Sequence, residues 1–203
     1  MISEVVCLRF WPQSRMFFSK VSSNFSKIIG RKKSDWHNPT VFDAVDIGSG
    51  SAKQFLQNPH SFPKGKYVAV DPLYSLPAMP IKKIVKQIGK SGGLVKDSKL
   101  SDFVKEMIGQ GHRAKSFVCH MPSLPIEMYD FEFLFKNARR VLAPGGNISV
   151  TSEMTDELER ISQLARKHGL NPQPIELFSG VKTSDMESTL ENKKIFHLNI
   201  GIK

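Results

Sequence analysis

Two rhythms of apolar residues take turns along this chain. In one, short apolar runs end abruptly at a glycine, an acid or a polar cluster: Val41 to Ile47, Lys66 to Asp71, Leu94 to Lys96, Lys115 to Cys119 and Ile148 to Thr151. Runs of this length, rich in β-branched residues, read as strands buried in a parallel sheet. In the other rhythm apolar residues recur every three or four positions. Ile81, Ile84, Val85 and Ile88 form one face of a segment whose opposite face carries Lys82, Lys83, Lys86 and Lys90. A helix is also read from Lys99 to Gly109. Tyr129 to Leu142 is apolar at Phe131, Leu134, Phe135, Ala138 and Leu142, and Thr155 to Gly169 at Leu158, Ile161, Leu164 and Ala165. These amphipathic segments predict helices with one face on a core. Strands that alternate with helices predict an α/β fold. The pattern changes at the end, where Ile175 to Phe178 and Lys194 to Ile202 read as strands with no clear helix between them. That predicts an antiparallel pair closing a mostly parallel sheet.

The first 40 residues stand apart. Phe18, Val21, Phe25, Ile28 and Ile29 recur at helical spacing, with Lys20, Lys27 and then Arg31-Lys32-Lys33 on or beyond the other side. Residues 1–40 therefore read as a basic arm carrying an amphipathic helix, and residues 41–203 as one domain. The whole chain holds 29 Lys and Arg against 19 Asp and Glu, a net charge of +10, and the arm holds seven basic against two acidic side chains. Three readings of the arm stay open: a cationic lid that meets RNA phosphates, a helix on the core with a solvated basic face, or an organelle transit segment. Cys7 and Cys119 lie far apart in unlike contexts, which suggests neither a disulfide framework nor a zinc cluster and predicts a reducing, cytoplasmic setting. The six histidines show no ligand spacing, so no metal site is expected. No apolar run reaches the roughly 20 residues that a bilayer requires, and no membrane partner is expected.

Chemistry concentrates where the first strand ends. Val45-Asp46-Ile47-Gly48-Ser49-Gly50-Ser51-Ala52 reads as a strand breaking into a glycine turn that feeds a helix. Gly48 and Gly50 give the backbone positive-φ freedom and let a ligand approach, and the helix start offers it N–H groups. A dinucleotide turn needs a third glycine at the position of Lys53. A lysine there should crowd the strand–helix contact, which argues against NAD. What stands instead is acid-x-G-x-G-x-small: Asp46, Gly48, Gly50 and Ala52. A carboxylate two residues before the first glycine attracts a cation. Asp71, at the tip of the second strand and before Pro72, can either accept both hydroxyls of a ribose or cap its own turn.

This turn resembles the first motif of the class I S-adenosylmethionine-dependent methyltransferases. The run from Asn137 to Val150, with Leu142-Ala143-Pro144-Gly145-Gly146 between helix and fifth strand, is similar to their late structural motif. The resemblance covers about residues 41 to 203. It implies a three-layer α/β sandwich whose seven-stranded, mostly parallel Rossmann-like sheet has one antiparallel C-terminal strand. It implies S-adenosyl-L-methionine as cofactor, held by Asp46, Gly48, Ser49, Gly50, Ala52, Asp71, Pro72, Asp97 and His120. Asp46 then serves the methionine end, and Asp97 meets the adenine. Ala52 stands where glycine is usual, and Asp97 or Ser98 reads equally well as the N-cap of the next helix.

His120 leaves the fourth strand where the family meets its methyl acceptor, although no N-P-P-Y motif is present. A neutral His120 imidazole can act as the catalytic base for an acceptor OH or NH, or it can hydrogen-bond a loop carbonyl. Thr151 and Glu153 loosely match the tRNA guanine-N7 methyltransferases, while His120-Met121-Pro122 replaces their F-P-D-P-W signature. The expected function is methyl transfer at the C-terminal edge of the sheet. RNA is the expected partner, held by Arg31, Lys32, Lys33, Lys82, Lys83, Lys86 and Lys90, though such lysines also make ordinary solvated faces. The alternatives are a small-molecule or protein acceptor, or a non-catalytic RNA- or protein-binding module on the same fold.

Overall fold

The computed structural model describes residues 40–120, 128–177 and 194–202. The basic arm, with Arg31, Lys32 and Lys33, lies outside them, as does Met121-Pro122. Strands β1 (Val41–Ile47), β2 (Tyr67–Val70), β3 (Leu94–Lys96), β4 (Arg113–His120) and β5 (Leu142–Ser152) alternate with helices α1 (Lys53–Gln57), α2 (Met79–Lys90), α3 (Leu100–Gln110) and α4 (Met128–Val141). Helix α5 (Thr155–Lys167) and strands β6 (Leu170–Pro172), β7 (Glu176–Leu177) and β8 (Phe196–Ile202) follow. The sheet order is β3-β2-β1-β4-β5-β8-β6, with β7 also on β8. β1 to β5 pair in parallel, and β8 runs antiparallel to β5, β6 and β7.

The expected mostly parallel sheet is present, with eight described strands rather than seven. Prolines cause the difference. Pro172 and Pro174 lack the N–H that an unbroken strand donates, so the edge beyond β8 is laid down in two pieces. Leu170 to Pro172 pair with Ile202 to Ile200, and Glu176-Leu177 with His197 and Phe196.

Strand alternation decides what each face carries. Val45, Phe117, Ile148, Val150 and Leu198 share one core with Phe103, Met107, Phe131, Phe135, Leu158 and Ile161 of α3, α4 and α5. Ala44, Tyr67 and Ala69 pack on the opposite side against Phe55 of α1 and Ile88 of α2. Burying a side chain such as Phe103 or Phe131, each 1% exposed, contributes about 2 kcal/mol. In β1 the same alternation sends Ile47 toward the α3–α4 layer and its neighbour Asp46 toward the α1 layer.

One boundary differs from the sequence reading. Ala143 to Gly146 were expected to be a turn ahead of a strand at Ile148, yet β5 already starts at Leu142. The Pro-Gly-Gly segment is an excursion within the strand, between the pairs Ala114 with Leu142 and Ser116 with Asn147. Gly145 takes a φ of +73° there, which glycine adopts without the strain of a Cβ.

Candidate functional site

The tip of β1 divides two cavities. On the α3–α4 side, a cavity of about 400 Å³ is lined by Ile47, Gly48, Val70 and Pro72, by Ser98 to Asp102 with Lys105, and by Tyr129 to Phe131. Its Ile47, Val70, Leu100 and Phe131 walls suit a flat apolar-faced group, and its rim carries charge. On the α1 side, a cavity of about 430 Å³ is lined by Asp46, Phe55, Phe62, Tyr67, Val118, His120, Ser149 and Thr151, among others. Gly48 lines the first cavity and Asp46, two residues earlier on the same strand, lines the second.

Asp46 is 7% exposed. The Tyr67 hydroxyl donates to its Oδ2 at 2.6 Å, whereas its Oδ1 is buried with no hydrogen-bond partner among the described residues. Loss of hydration pushes the carboxyl up to about 6. The Tyr67 hydrogen bond pulls the other way, and nearby Asp71 adds to the rise. A buried carboxylate oxygen without a donor is costly, and this one belongs to a residue that lines the α1-side cavity, where a cationic N–H group could satisfy it.

The glycine turn is held from below. The Gly50 N–H donates to Asp71 Oδ2 at 2.9 Å and the Leu73 N–H to Oδ1 at 2.8 Å, so Asp71 both caps the short helical turn Pro72–Ser75 and anchors the glycine loop. A carboxylate oxygen has two lone pairs, which leaves acceptor capacity for ribose hydroxyls. The Tyr74 hydroxyl donates to the Gly50 carbonyl at 2.8 Å and lies 2.7 Å from Ser49 Oγ. Gly48 and Gly50 take φ of +62° and +49°, and an added Cβ at either would meet nothing closer than 4.0 Å. The space above the turn is therefore open to a ligand. Ala52, the departure from glycine, adopts φ +48° and is 2% exposed.

Lys53 corrects one step of the sequence argument. It opens α1 and is exposed. The packed position is Ala52, so the lysine does not crowd the strand–helix contact, and its size does not exclude NAD. Asp97 is exposed beyond the tip of β3, and the adjacent cavity wall begins at Ser98. Neither residue N-caps α3, whose cap position is Lys99 without a side-chain bond.

His120, at the end of β4, lines the α1-side cavity together with Asp46. Its Nδ1 lies 2.9 Å from Thr151 Oγ1 on β5, and His197 pairs its Nε2 with Ser149 Oγ at 2.9 Å. Burial lowers the His120 pKa, and His197 lowers it further. The imidazole is therefore neutral at pH 7. Thr151 is 4% exposed. Lys82, Lys83, Lys86 and Lys90 are exposed on α2 and line neither cavity. Among the described residues no cluster of metal-ligating side chains occurs, and no helix is long and apolar enough to cross a membrane.

Sequence reasoning passed over Tyr67, Tyr74 and Tyr129. For Tyr67 a signal existed: a tyrosine inside an otherwise apolar buried strand must find a partner for its hydroxyl. Tyr74 and Tyr129 meet the site only through tertiary folding.

No protein-family profile matches the chain, and no curated protein is similar to it in sequence. Solved structures are similar in shape. The antibiotic-resistance methyltransferase Kmr gives a TM-score of 0.53 at 13% identity, over 83% of this chain and 89% of that one. The 16S rRNA (adenine(1408)-N(1))-methyltransferase from Catenulisporales acidiphilia gives 0.55 at 12%, over 82% and 89%. The precorrin-6y C5,15-methyltransferase from Geobacter metallireducens gives 0.53 at 15%, over 83% of each. This chain has the fold of the class I S-adenosylmethionine-dependent methyltransferases.

Proposed function

We propose that the protein is an S-adenosylmethionine-dependent methyltransferase whose acceptor is RNA. The observation that carries the reading is the open, positive-φ Gly48–Gly50 turn anchored by Asp71 at the end of β1, with the unpartnered Oδ1 of the buried Asp46 two residues before it. The α3–α4 cavity takes the adenine between Ile47, Val70, Leu100 and Phe131. Asp71 takes the ribose through its remaining lone pairs, and Asp46 takes the ammonium of the methionine half. When bound, the cofactor supplies an electrophilic methyl carbon. His120, neutral and held by Thr151, receives the proton that an acceptor N–H or O–H gives up. Positioning the acceptor in the cavity shared by Asp46 and His120 provides much of the acceleration. Two facts favour RNA: the net charge of +10 with the exposed α2 lysines, and the presence of rRNA methyltransferases among the similar structures.

Calorimetry with S-adenosylmethionine, its demethylated product and NAD tests the cofactor. Micromolar binding of the first two is expected, and NAD binding tighter than either, or no binding of any of the three, overturns the reading. Transfer of labelled methyl into fractionated RNA, protein and metabolite pools tests the acceptor. Label in protein or a small molecule, with none in RNA, overturns the RNA assignment.

A further inference from the structure

We propose that Tyr67 is a positioning residue for Asp46: its hydroxyl occupies Oδ2 and thereby presents Oδ1 to the cationic group of a ligand in the α1-side cavity. The proposal rests on the cofactor reading above, in which that group is an α-ammonium.

The geometry is built for this. β1 and β2 are parallel with Ala44 opposite Tyr67, so Asp46 lies diagonally ahead of Tyr67 on the same face, within reach of a long side chain. The Tyr67 ring is clamped. Phe55 stacks on it with centroids 4.0 Å apart and planes 5° apart, and Phe62 packs at 5.4 Å. Phe55 is pressed in turn against Gly93, where a Cβ would come within 2.8 Å of the Phe55 ring. A side chain held this firmly fixes the rotation of the carboxyl it bonds. Buried polar atoms are nearly all paired, so one without a partner calls for an explanation, and Oδ1 is buried without a donor on a residue that lines the α1-side cavity.

The pair also sets the charge on Asp46. Desolvation and the charge of Asp71 favour the neutral acid, and the Tyr67 hydrogen bond favours the carboxylate. Tyr74 stands nearby on the same side as Asp71, and His120 faces the cavity from β4. Removing the hydroxyl tips this balance toward the acid, so an ammonium ligand is lost at higher pH.

The test is calorimetric titration of the full chain with S-adenosylmethionine between about pH 5 and about pH 8.5. Adenosine, which lacks the amino-acid half, is the second probe. In the parent, S-adenosylmethionine affinity is expected to fall as pH drops through about 6. Tyr67→Phe keeps the ring stack and should move that fall upward by about one pH unit, leaving adenosine affinity unchanged. Replacing Tyr67 by 3-fluorotyrosine, a stronger donor of the same shape, should move it downward. Profiles that coincide with the parent's for both replacements overturn the positioning role. Asp46→Asn separates the two levels of the argument. If it leaves S-adenosylmethionine affinity unchanged, the reading of Asp46 fails and takes the proposal with it. If it weakens binding while both Tyr67 replacements behave as the parent, only the role of Tyr67 falls.

Discussion

A carboxyl whose pKa rises on folding is a burden that the free protein carries, and Asp46 illustrates it. Its pKa moves from 3.8 to about 6. Because the folded state holds this proton more tightly than the unfolded chain does, the Asp46 contribution to stability is most favourable below about pH 4 and declines as pH climbs through about 6, in total by about 3 kcal/mol. Asp46→Asn keeps an acceptor for Tyr67 and removes the charge. The variant should therefore melt higher than the parent at neutral pH and equally near pH 4, a comparison that thermal denaturation at the two pH values makes directly. It should also lose affinity for S-adenosylmethionine, so the same substitution stabilises the free protein and weakens the complex. Asp71 behaves differently, because both its oxygens already accept backbone N–H groups. Asp71→Ala should weaken cofactor binding by about 2 kcal/mol and also lower folding stability by about 2 to 4 kcal/mol. Calorimetry reads the first and urea denaturation the second. Unchanged stability would mean that the Asp71 bonds to Gly50 and Leu73 do not form in solution.

Among the elements, the join of α4 to β5 shows how a short motif shapes the sheet. Gly146 sits where a Cβ would come within 2.9 Å of the backbone carbonyls of Ala143 and Lys115 and 3.1 Å of that of Ala114. Those atoms belong to paired strands and cannot step aside. Gly146→Ala is therefore expected to cost about 3 kcal/mol, whereas Gly145→Ala, which meets no atom within 4 Å but needs φ +73°, should cost about 1 kcal/mol. Equal melting temperatures for the two variants would contradict this account. The consequence reaches the site, since the Gly146 excursion sets the register that pairs His120 with Thr151. A variant that slips the register should lose methyl transfer before it loses its fold.

For the whole molecule, the net charge of +10 makes the proposed RNA acceptor testable by salt dependence. Four exposed lysines stand on α2 and line neither cavity, so on the proposed reading they would meet RNA phosphates outside the cavities. RNA affinity should fall steeply as salt rises from about 50 to about 200 mM, because each phosphate contact releases a counterion. Reversing Lys82 and Lys86 to Glu should flatten that slope without changing S-adenosylmethionine affinity. Filter binding across a salt series, with calorimetry beside it, checks both. An unchanged slope would mean that these lysines form an ordinary solvated face.

Much of this was legible from local pattern alone. Apolar runs and three-to-four spacing determined the order of strands and helices, because burial of one face is a property of a single segment. Glycines at 48 and 50 and acids at 46 and 71 announced the turn, because backbone freedom and charge are carried by residue type. The antiparallel end of the sheet was readable from the missing helix before β8. Partnership was decided elsewhere. That Asp71 accepts from the backbone N–H groups of Gly50 and Leu73, that Lys53 is exposed while Ala52 takes the packed position, and that the Pro-Gly-Gly segment lies inside a strand all depend on what tertiary folding brings alongside. So does the meeting of Tyr67 with Asp46, 21 residues apart in sequence and 2.6 Å apart in space. The sequence determines which groups are available, and only the register of β1 against β2 and β4 decides which of them touch, because pairing across a sheet is set by packing over the whole chain.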